Sequence, residues 1–468
     1  MDRKKFLKYI LLGSTGTAIA AAGVKFATTP KVAHDAASYV IYRSDSSFHA
    51  KNGVTGEIDY SGKDAAVIIQ EAINALNNGG IVFIKAGRYP LTSVLNVKSN
   101  VQVIGEGCST ALLVGSDVYG AMKVVDDPKA EKIRISNLKI DGNKTNQTDT
   151  MTETGLITLD ATRKIEEIYI DHIWFKDAFF CDIVSVGYDY NPSKISITNI
   201  KSIDCGDNGS RNAPHSLYLT NLENSYIGDY YVYNCHHNSF DIRTAGVTDA
   251  GIYRPKKTVR VRSVFVGLIS ENAGGFGFSL YTTDVIFLGC CSVNSNQLGV
   301  RLLGCERTIL SGCVVKNSGK DTGGDYDGIL ITDSSNDNIV MGCHCYDDQK
   351  AKTQRYGIHL AGDRNQIINN NLEGNKVKGL YRSGDTHSII RDNIGYITEN
   401  GGAAFNVADG GAIEHGLATT PTHVEVTPSI PGEIVAVTSM NSNDFTIAIK
   451  KYDGSTGTQQ KIYWKASI

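Results

Sequence analysis

Tyr, Asp, Arg and His side chains concentrate between residues 215 and 301, where they alternate with apolar residues. Placing the apolar residues inside a strand-built core turns these polar side chains to one outer face. Tyr and His can exchange a proton with a substrate, and Arg can bind a carboxylate through two parallel hydrogen bonds. We predict catalytic residues Tyr218, Asp241, Arg243 and His215, and substrate-binding residues Tyr281, Arg301, His236 and His237. A solvated strand face would also carry polar residues, so a structural interpretation stands beside the catalytic one.

Three reactions on an acidic polysaccharide would suit these side chains. β-Elimination needs a base for the C5 proton of a uronate, a cation for its carboxylate and a proton donor for the leaving oxygen. Tyr218 or His215 could act as base or acid, while Arg243 and Arg301 hold the carboxylate. C5 epimerisation begins with the same proton abstraction and would use much the same residues.

Inverting hydrolysis needs a pair of carboxyl groups about 6.5–9.5 Å apart. Asp241 is one candidate, and Asp204 or Asp207 on the preceding loop is its possible partner. Among the three reactions the sequence favours elimination. Calcium could assist through acidic loops, because hard cations take oxygen ligands. The loops concerned are Asp325-Tyr-Asp327 and the pair Asp204 and Asp207, and the alternative is that these residues only form turns. His359 is interpreted as an incidental surface residue.

Two short phrases recur between residues 286 and 393 and predict the scaffold for these residues. The first is Ile, two residues, Gly/Asn/Asp, then Cys/Asn, and it begins at Ile286, Ile309, Ile339, Ile367 and Ile389. The second begins at Gly299, Gly328, Gly357 and Gly379. A period of about 22 to 30 residues indicates a solenoid, and period-two alternation with Gly, Asn and Asp between the runs indicates strands and turns. We therefore predict a parallel β-helix.

The last position of the first phrase predicts an internal ladder. It is occupied by Cys290, Cys313, Cys343, Asn371 and Asn393. Reduced cysteine packs as a small apolar residue, so we expect buried free thiols rather than disulfides.

An amphipathic helix precedes the coils. Ser61-Gly-Lys-Asp64 has the pattern of a capping box, and Gly79-Gly80 is a stop signal. The apolar residues between them are Val67, Ile68, Ile69, Ala72, Ile73 and Leu76. Because the first coil of a solenoid would otherwise expose its core, this helix is predicted to cover that end.

The stretch from Asp59 to Gly107 resembles the N-terminal part of pectate-lyase-superfamily β-helix proteins. The resemblance rests on Asp-Tyr-Ser-Gly-Lys-Asp-Ala-Ala, Gly-Gly-Ile-Val-Phe-Ile-Lys-Ala-Gly-Arg-Tyr and Ser-Asn-Val-Gln-Val-Ile-Gly-Glu-Gly. It covers about residues 57–143 and continues as generic repeats to about residue 395. It implies a right-handed parallel β-helix, a scaffold that lyases, hydrolases, epimerases and non-catalytic binders share.

The two ends of the chain have different patterns. Residues 1–30 combine a basic start, a short apolar run and small residues, which predicts an export signal; it resembles a twin-arginine signal with Lys4 at the second Arg position. Residues 31–56 are predicted to be a linker and first extended segment, and residues 57–395 the β-helix. Residues 396–468 alternate as in a small antiparallel β-sandwich and resemble H-type lectin and tail-fibre modules. Sugar binding, homo-oligomerisation or plain end-capping would suit this module.

Together these features predict an exported, all-β, polysaccharide-active protein that acts by β-elimination. The alternatives are a hydrolase or C5-epimerase on the same scaffold, or a non-catalytic glycan-binding adhesin; the export signal disfavours a viral tailspike. The formal charge is -3, and no long basic run follows the first ten residues, so nucleic acid is not expected as a partner. The apolar run of the signal is shorter than the ~20 residues that cross a bilayer, so no membrane contact is expected beyond export. The alternative is an uncleaved N-terminal anchor. A secreted or cell-surface location follows.

Overall fold

The structure is a computed structural model. It describes residues 37–126, 128–148, 154–186, 190–206, 215–243, 247–248, 251–252, 263–321, 325–384 and 387–468. The predicted export signal, residues 1–30, lies outside this range. Residues 37–468 belong to one compact unit.

Two parallel sheets wind together as a β-helix, and the prediction of a right-handed parallel β-helix is confirmed. The first sheet contains the strands Tyr39–Ser44, Ser47–Asn52, Ile58–Gly62, Gly80–Ile84, Gly87–Leu91, Val101–Gly105, Thr110–Val114, Lys129–Asp141, Lys164–Lys176, Ser193–Ile203, Tyr226–Tyr233, Val264–Val266, Ile269–Glu271, Ile286–Leu288, Cys291–Val293, Ile309–Ser311, Val314–Lys316, Ile339–Met341, His344–Tyr346, Gln366–Ile368 and Ile389–Arg391. The second contains Leu95–Val97, Met122–Val124, Gly155–Asp160, Cys181–Val186, Leu217–Thr220, Phe240–Arg243, Phe278–Tyr281, Val300–Leu302, Ile329–Ile331, Tyr356–Leu360 and Lys378–Arg382. Short 3-10 turns lie at Gly107–Ser109 and Lys144–Asn146, and a hairpin at Val247–Thr248 and Gly251–Ile252.

One aligned column of corner residues runs through the first sheet, with one member in each coil from Asn137 to Asp392. Each of these corner residues has a positive φ, and the strand register aligns them from coil to coil. The corner residues are Asn137, His172, Asn199, Asp229, Gly267, Gly289, Gly312, Gly342, Asn369 and Asp392. Gly, Asn and Asp enter the left-handed region at the lowest energy, which explains the fourth position of the first repeated phrase.

Stacked apolar side chains fill the interior between the sheets. Phe265 and Phe287 stack with ring centroids 4.6 Å apart, and Phe240 and Phe278 stack at 4.8 Å. These four rings are almost completely buried. Burying a side chain of this size contributes about 1.5–3 kcal/mol, so each coil adds stability only when its inward residues meet those of the next coil.

The internal ladder of the first phrase contains an asparagine that the sequence assigned wrongly. Ile339 pairs with Gln366 and not with Ile367, so Asn370 rather than Asn371 follows Cys343. The amide of Cys343 donates to Asn370 Oδ1 at 2.8 Å. All ten cysteines are free, nine of them buried, as the ladder interpretation expected.

The second phrase begins with glycine because neighbouring coils approach closely there. A Cβ on Gly328 would lie 2.7 Å from the carbonyl oxygen of Gly357, and a Cβ on Gly357 would lie equally close to that of Gly379. Contacts this short leave no room for a side chain.

The N-terminal end of the coils is covered by the helix Ala65–Ala75. Its cap is Asp64, whose carboxylate accepts from the amides of Ala66 and Val67; Ser61 belongs to the strand Ile58–Gly62, so the predicted capping box is wrong. Val67 was expected on the buried face but is 47% exposed.

The strands Tyr39–Ser44 and Ser47–Asn52 lie within residues 31–56, where the sequence predicted a linker and first extended segment, and they join the first sheet. In the part of the chain that the structure describes, no helix is long and apolar enough to cross a membrane.

Six antiparallel strands follow the coils and form two three-stranded sheets. One contains Glu399–Val407, Gln460–Ser467 and His423–Pro428, and the other contains Ala412–Glu414, Asp444–Lys451 and Glu433–Met440. A small core lies between them, formed by Val407, Ile413, Phe445, Ile447, Ile449 and Ile462.

A carboxyl group is buried among the inward side chains. Asp182 is fully buried and accepts hydrogen bonds from Ser202 and Ser216, and the Ser216 hydroxyl lies 3.2 Å from that of Tyr230. Burial raises the pKa of Asp182 to about 7, although the hydroxyl hydrogen bonds act in the opposite direction. The interior therefore favours the neutral acid.

We predict that Asp182 makes the protein less stable as pH rises. Its folded pKa exceeds the unfolded value, so its contribution is complete below the unfolded pKa near 4 and is lost as pH rises through about 7. Relative to Asp182→Asn, the free energy of unfolding of the native protein should fall by on the order of 4 kcal/mol between pH 4 and pH 8. Urea unfolding of both proteins across that range measures the difference. Parallel pH profiles would contradict the prediction.

We predict that the corner residues tolerate asparagine but not a β-branched residue. A Cβ on Gly312 would meet no atom within 4 Å, so substitution there tests the left-handed backbone alone. Gly312→Val should lower the free energy of unfolding by about 2 kcal/mol or more, and Gly312→Asn by about 1 kcal/mol or less. Urea denaturation midpoints of the two variants provide the comparison. Equal midpoints would show that the corner imposes no left-handed conformation.

Candidate functional site

The outer face of the second sheet carries two columns of polar and aromatic residues. Strand pairing aligns Tyr218, Asp241, Ser279 and Arg301 in the first column. It aligns Thr220, Arg243 and Tyr281 in the second. Leu217, Leu219, Phe240, Ile242, Phe278, Leu280, Val300 and Leu302 alternate with them and are buried inside the coils. The six outward residues that the alternation predicts in these strands all lie in the two columns: Tyr218, Asp241, Arg243, Ser279, Tyr281 and Arg301. Thr220 joins them and was not predicted.

Arg243 lies at the centre of this face. Its Nε donates to Asp241 Oδ1 at 2.7 Å, and its guanidinium lies between the rings of Tyr218 and Tyr281, 5.0 and 4.9 Å from their centroids. Burial disfavours its charge, but the hydrogen bond and field of Asp241 outweigh that cost and raise the pKa of Arg243. Desolvated cation–π contacts of this kind stabilise the arginine further. Arg243 is therefore a fixed positive charge held between two tyrosines.

Arg301 is a second guanidinium on the same face. Its Nη2 donates to the hydroxyl oxygens of Ser279 at 2.9 Å and Tyr281 at 2.5 Å. Its guanidinium also lies 4.4 Å from the centroid of the Phe276 ring. Burial and the field of Asp241 raise the pKa of Tyr281, although both arginines act in the opposite direction.

Two histidines approach the start of these strands. His215 is buried, with Nε2 3.7 Å from Asp241 Oδ2 and its ring 5.4 Å from that of Tyr218. The ring of His237 lies 5.6 Å from that of His215. Burial, the neighbouring His215 and the charges of His236 and Arg301 lower the pKa of His237 to about 4, against the opposing field of Asp241. His236 is exposed beside it.

Seven of the eight predicted site residues thus lie together: Tyr218, Asp241, Arg243, His215, Tyr281, Arg301 and His237, which we call the central cluster. Asp241 is only 2% exposed and Tyr218 only 8%, so the cluster is more deeply buried than a solvated strand face. Sequence reasoning missed Phe276 as a contact of Arg301. The only signal for it is an aromatic residue flanked by Gly275 and Gly277 immediately before the strand.

Other predicted ligands have different surroundings. Asp204 Oδ1 accepts from the side chain of Asn234, and Asp207 lies outside the described residues. Asp327 is bound by Arg355 and His359, and Asp325 lies 3.9 Å from Arg355. Across the described ranges, no group of three or more His, Cys, Asp or Glu side chains could hold a metal ion.

Solved structures share this architecture. The tailspike protein of E. coli bacteriophage HK620, solved with a pentasaccharide, matches 86% of this chain and 90% of its own with a TM-score of 0.53 and 11% identity. Gene product 12 of bacteriophage phi29, in its pre-mature form, matches 70% of this chain and 50% of its own with a TM-score of 0.55 and 16% identity. At these identities the similarity concerns the fold alone. No protein-family model matches the chain, and neither does any curated protein sequence.

We predict that His237 is neutral at and above pH 5. Its pKa of about 4 reflects burial beside other positive groups, whereas an unperturbed histidine titrates near 6.5. NMR titration of the histidine ring signals, with His237→Gln to assign the resonance, measures this pKa directly. A midpoint near 6.5 would mean that the ring is solvated and lies apart from the cluster.

Proposed function

We propose that this protein acts on an acidic polysaccharide and that the central cluster is its active site. The observation that carries the proposal is the pair of guanidinium groups, Arg243 and Arg301, beside two groups that can transfer protons, Tyr218 and His215. Arginine suits bidentate binding of a carboxylate, and Tyr and His suit proton transfer. The shared fold of the HK620 tailspike, solved with a pentasaccharide, supports a glycan as the ligand.

The reaction that best suits these residues is β-elimination at a uronate. The arginines would bind the C6 carboxylate and stabilise the negative charge that develops when the C5 proton is removed. Tyr218 or His215 would take that proton, and the other would protonate the departing O4. The electrons of the C5–H bond become the C4–C5 double bond as the C4–O4 bond breaks. Stacked strands hold all of these groups before substrate arrives, so little reorganisation is needed.

The alternatives use the same face in different ways. C5 epimerisation would return a proton to the opposite face of the sugar after the same abstraction. Inverting hydrolysis is less well supported, because Asp241 is held by Arg243 and its proposed partner Asp204 is hydrogen-bonded to Asn234. A non-catalytic adhesin would use the arginines and tyrosines for binding alone.

Location and assembly belong to the same proposal. The basic, apolar and small-residue pattern of residues 1–30 supports export to the outside of the cell or its surface. The C-terminal sandwich exposes Phe405, Tyr463, Ile434 and Met440, which supports glycan binding or self-association through this module.

The decisive experiment incubates the purified protein with a panel of polyuronates and follows the ultraviolet absorbance of the unsaturated product. We expect absorbance to rise with the native protein and to slow by about 100-fold or more in Tyr218→Phe, since general acid–base catalysis supplies that much. Arg301→Lys, which keeps the charge but loses the planar fork, should raise KM. Tyr169→Phe, an exposed tyrosine on the first sheet, is the matched control and should leave the rate unchanged.

Three outcomes would contradict elimination. New reducing ends without absorbance would indicate hydrolysis, and inversion at C5 without chain cleavage would indicate epimerisation. Binding across a glycan panel without turnover would indicate an adhesin.

A further inference from the structure

Three side chains from successive coils form a hydrogen-bonded chain further along the outer face of the second sheet. Asp327 precedes the strand Ile329–Ile331, His359 lies within Tyr356–Leu360, and Ser383 follows Lys378–Arg382. His359 Nδ1 lies 3.1 Å from Asp327 Oδ2, and His359 Nε2 lies 2.7 Å from Ser383 Oγ. His359 is therefore not the incidental surface residue that the sequence suggested. We call these three residues the distal triad.

The direction of the hydrogen bonds follows from the ionisation of Asp327. Burial opposes the charge of this carboxylate, but the hydrogen bonds from His359 and Arg355 and the charge of Arg355 outweigh it and lower its pKa. An ionised carboxylate can only accept, so Nδ1 of His359 must carry a hydrogen. Nε2 of a neutral imidazole is then an acceptor, and the Ser383 hydroxyl donates to it. This is the arrangement in which histidine can remove the proton of a serine nucleophile.

The acid end of the triad is fixed and the serine end is accessible. Arg355 binds both oxygens of Asp327 through Nε and Nη2, each at 2.9 Å, and Asp327 is only 1% exposed. The His359 side chain is 18% exposed and Ser383 is half-buried, so a substrate can reach them. The ring of Tyr381 lies 5.0 Å from that of His359 and stacks on Tyr356 at 4.8 Å, so aromatic rings flank the histidine.

Gly384 follows Ser383 with a φ of +89°, a conformation that L side chains rarely adopt. In serine hydrolases the amide of the residue after the nucleophile often supplies one oxyanion donor. The chain order of the triad is Asp, His, Ser, which is one of the orders in which this arrangement occurs.

We propose that the distal triad is a second catalytic centre, an ester hydrolase that removes O-acyl groups from a carbohydrate. Ser383 Oγ attacks the ester carbonyl carbon as its proton passes to His359 Nε2. The bond from that carbon to the sugar oxygen then breaks, and His359 returns the proton to the sugar oxygen. Water then attacks the carbonyl carbon of the acyl-serine and loses a proton to His359. The bond from that carbon to Ser383 Oγ breaks, and His359 returns the proton to Oγ, so the carboxylic acid leaves and the serine hydroxyl is restored. Asp327 holds the imidazole and stabilises its protonated form.

The carbohydrate part of this inference rests on the proposed function. Strand pairing runs from Asp241 through Ser279, Arg301 and Leu330 to His359, so the two centres share one outward column. Four strand spacings amount to roughly 19 Å. A glycan that lies along this face could contact both centres, which would couple removal of acyl groups with cleavage of the chain.

The test uses two probes on the full-length protein: hydrolysis of p-nitrophenyl acetate and covalent labelling by a fluorophosphonate. We expect turnover of the ester, with the label on Ser383 when the protein is digested and its peptides are analysed by mass spectrometry. Ser383→Ala and His359→Gln should each lower the hydrolysis rate by about 100-fold or more. Ser334→Ala is the matched control, because Ser334 is also half-buried but bonds to Thr332 rather than to a histidine.

Two variants distinguish the distal triad from the central cluster. Tyr218→Phe should keep full esterase activity, and Ser383→Ala should keep polyuronate cleavage. Native protein that neither hydrolyses the ester nor takes the label on Ser383 would overturn the second centre. Hydrolysis that survives in Ser383→Ala would do the same. Esterase activity without any action on polyuronates would support the triad while refuting the function proposed for the central cluster.

Discussion

The regular stacking of the first sheet depends on a backbone conformation that recurs from coil to coil: a left-handed residue at the aligned corner position. From Asn137 to Asp392 it recurs in register and turns the first sheet through the same bend. Because every coil turns at the same place, inward residues meet inward residues and outward residues form columns. The stacked rings of Phe265 and Phe287, the cysteine ladder and the two outward columns all depend on this regularity.

The same regularity explains how charged side chains can be nearly buried on the outer face of the second sheet. An isolated buried charge is costly, whereas one that meets a fixed partner is tolerated. Asp241 meets Arg243 in the central cluster, and Asp327 meets Arg355 in the distal triad. In both places a nearly buried aspartate is held by an arginine and lies near a histidine. These pairs fix the acid and leave the neighbouring proton-transfer groups in defined positions, which is what a preorganised site requires.

Much of this organisation could be predicted from the sequence because it is local. Alternation of apolar and polar residues gave the inward and outward residues of the strands between Leu217 and Leu302 correctly, and the glycines of the second phrase marked real close approaches between coils. Errors arose where two local patterns competed. The sequence predicted Ile367 as the start of this copy of the first phrase, because the other copies begin with Ile. Strand pairing shows that Gln366 occupies that place, so Asn370 continues the ladder. Ser61 and Asp64 both suit a helix cap, and the strand Ile58–Gly62 takes Ser61. The distal triad could not be predicted, because its three members are separated by 32 and 24 residues and each resembles an ordinary surface residue alone.

The coil register can be measured by cross-linking aligned positions with cysteine. Leu288 and Ser311 face outward on adjacent strands and pair directly, within the Cα separation of about 4.4–6.8 Å that a disulfide requires. Leu288 and Met341 lie two strands apart, roughly 10 Å, which is beyond that reach. After mild oxidation and peptide mapping, Leu288→Cys combined with Ser311→Cys should form a disulfide in nearly every molecule, and Leu288→Cys combined with Met341→Cys should not. A disulfide in the second pair and none in the first would contradict the stacked register, and with it the placement of both catalytic centres.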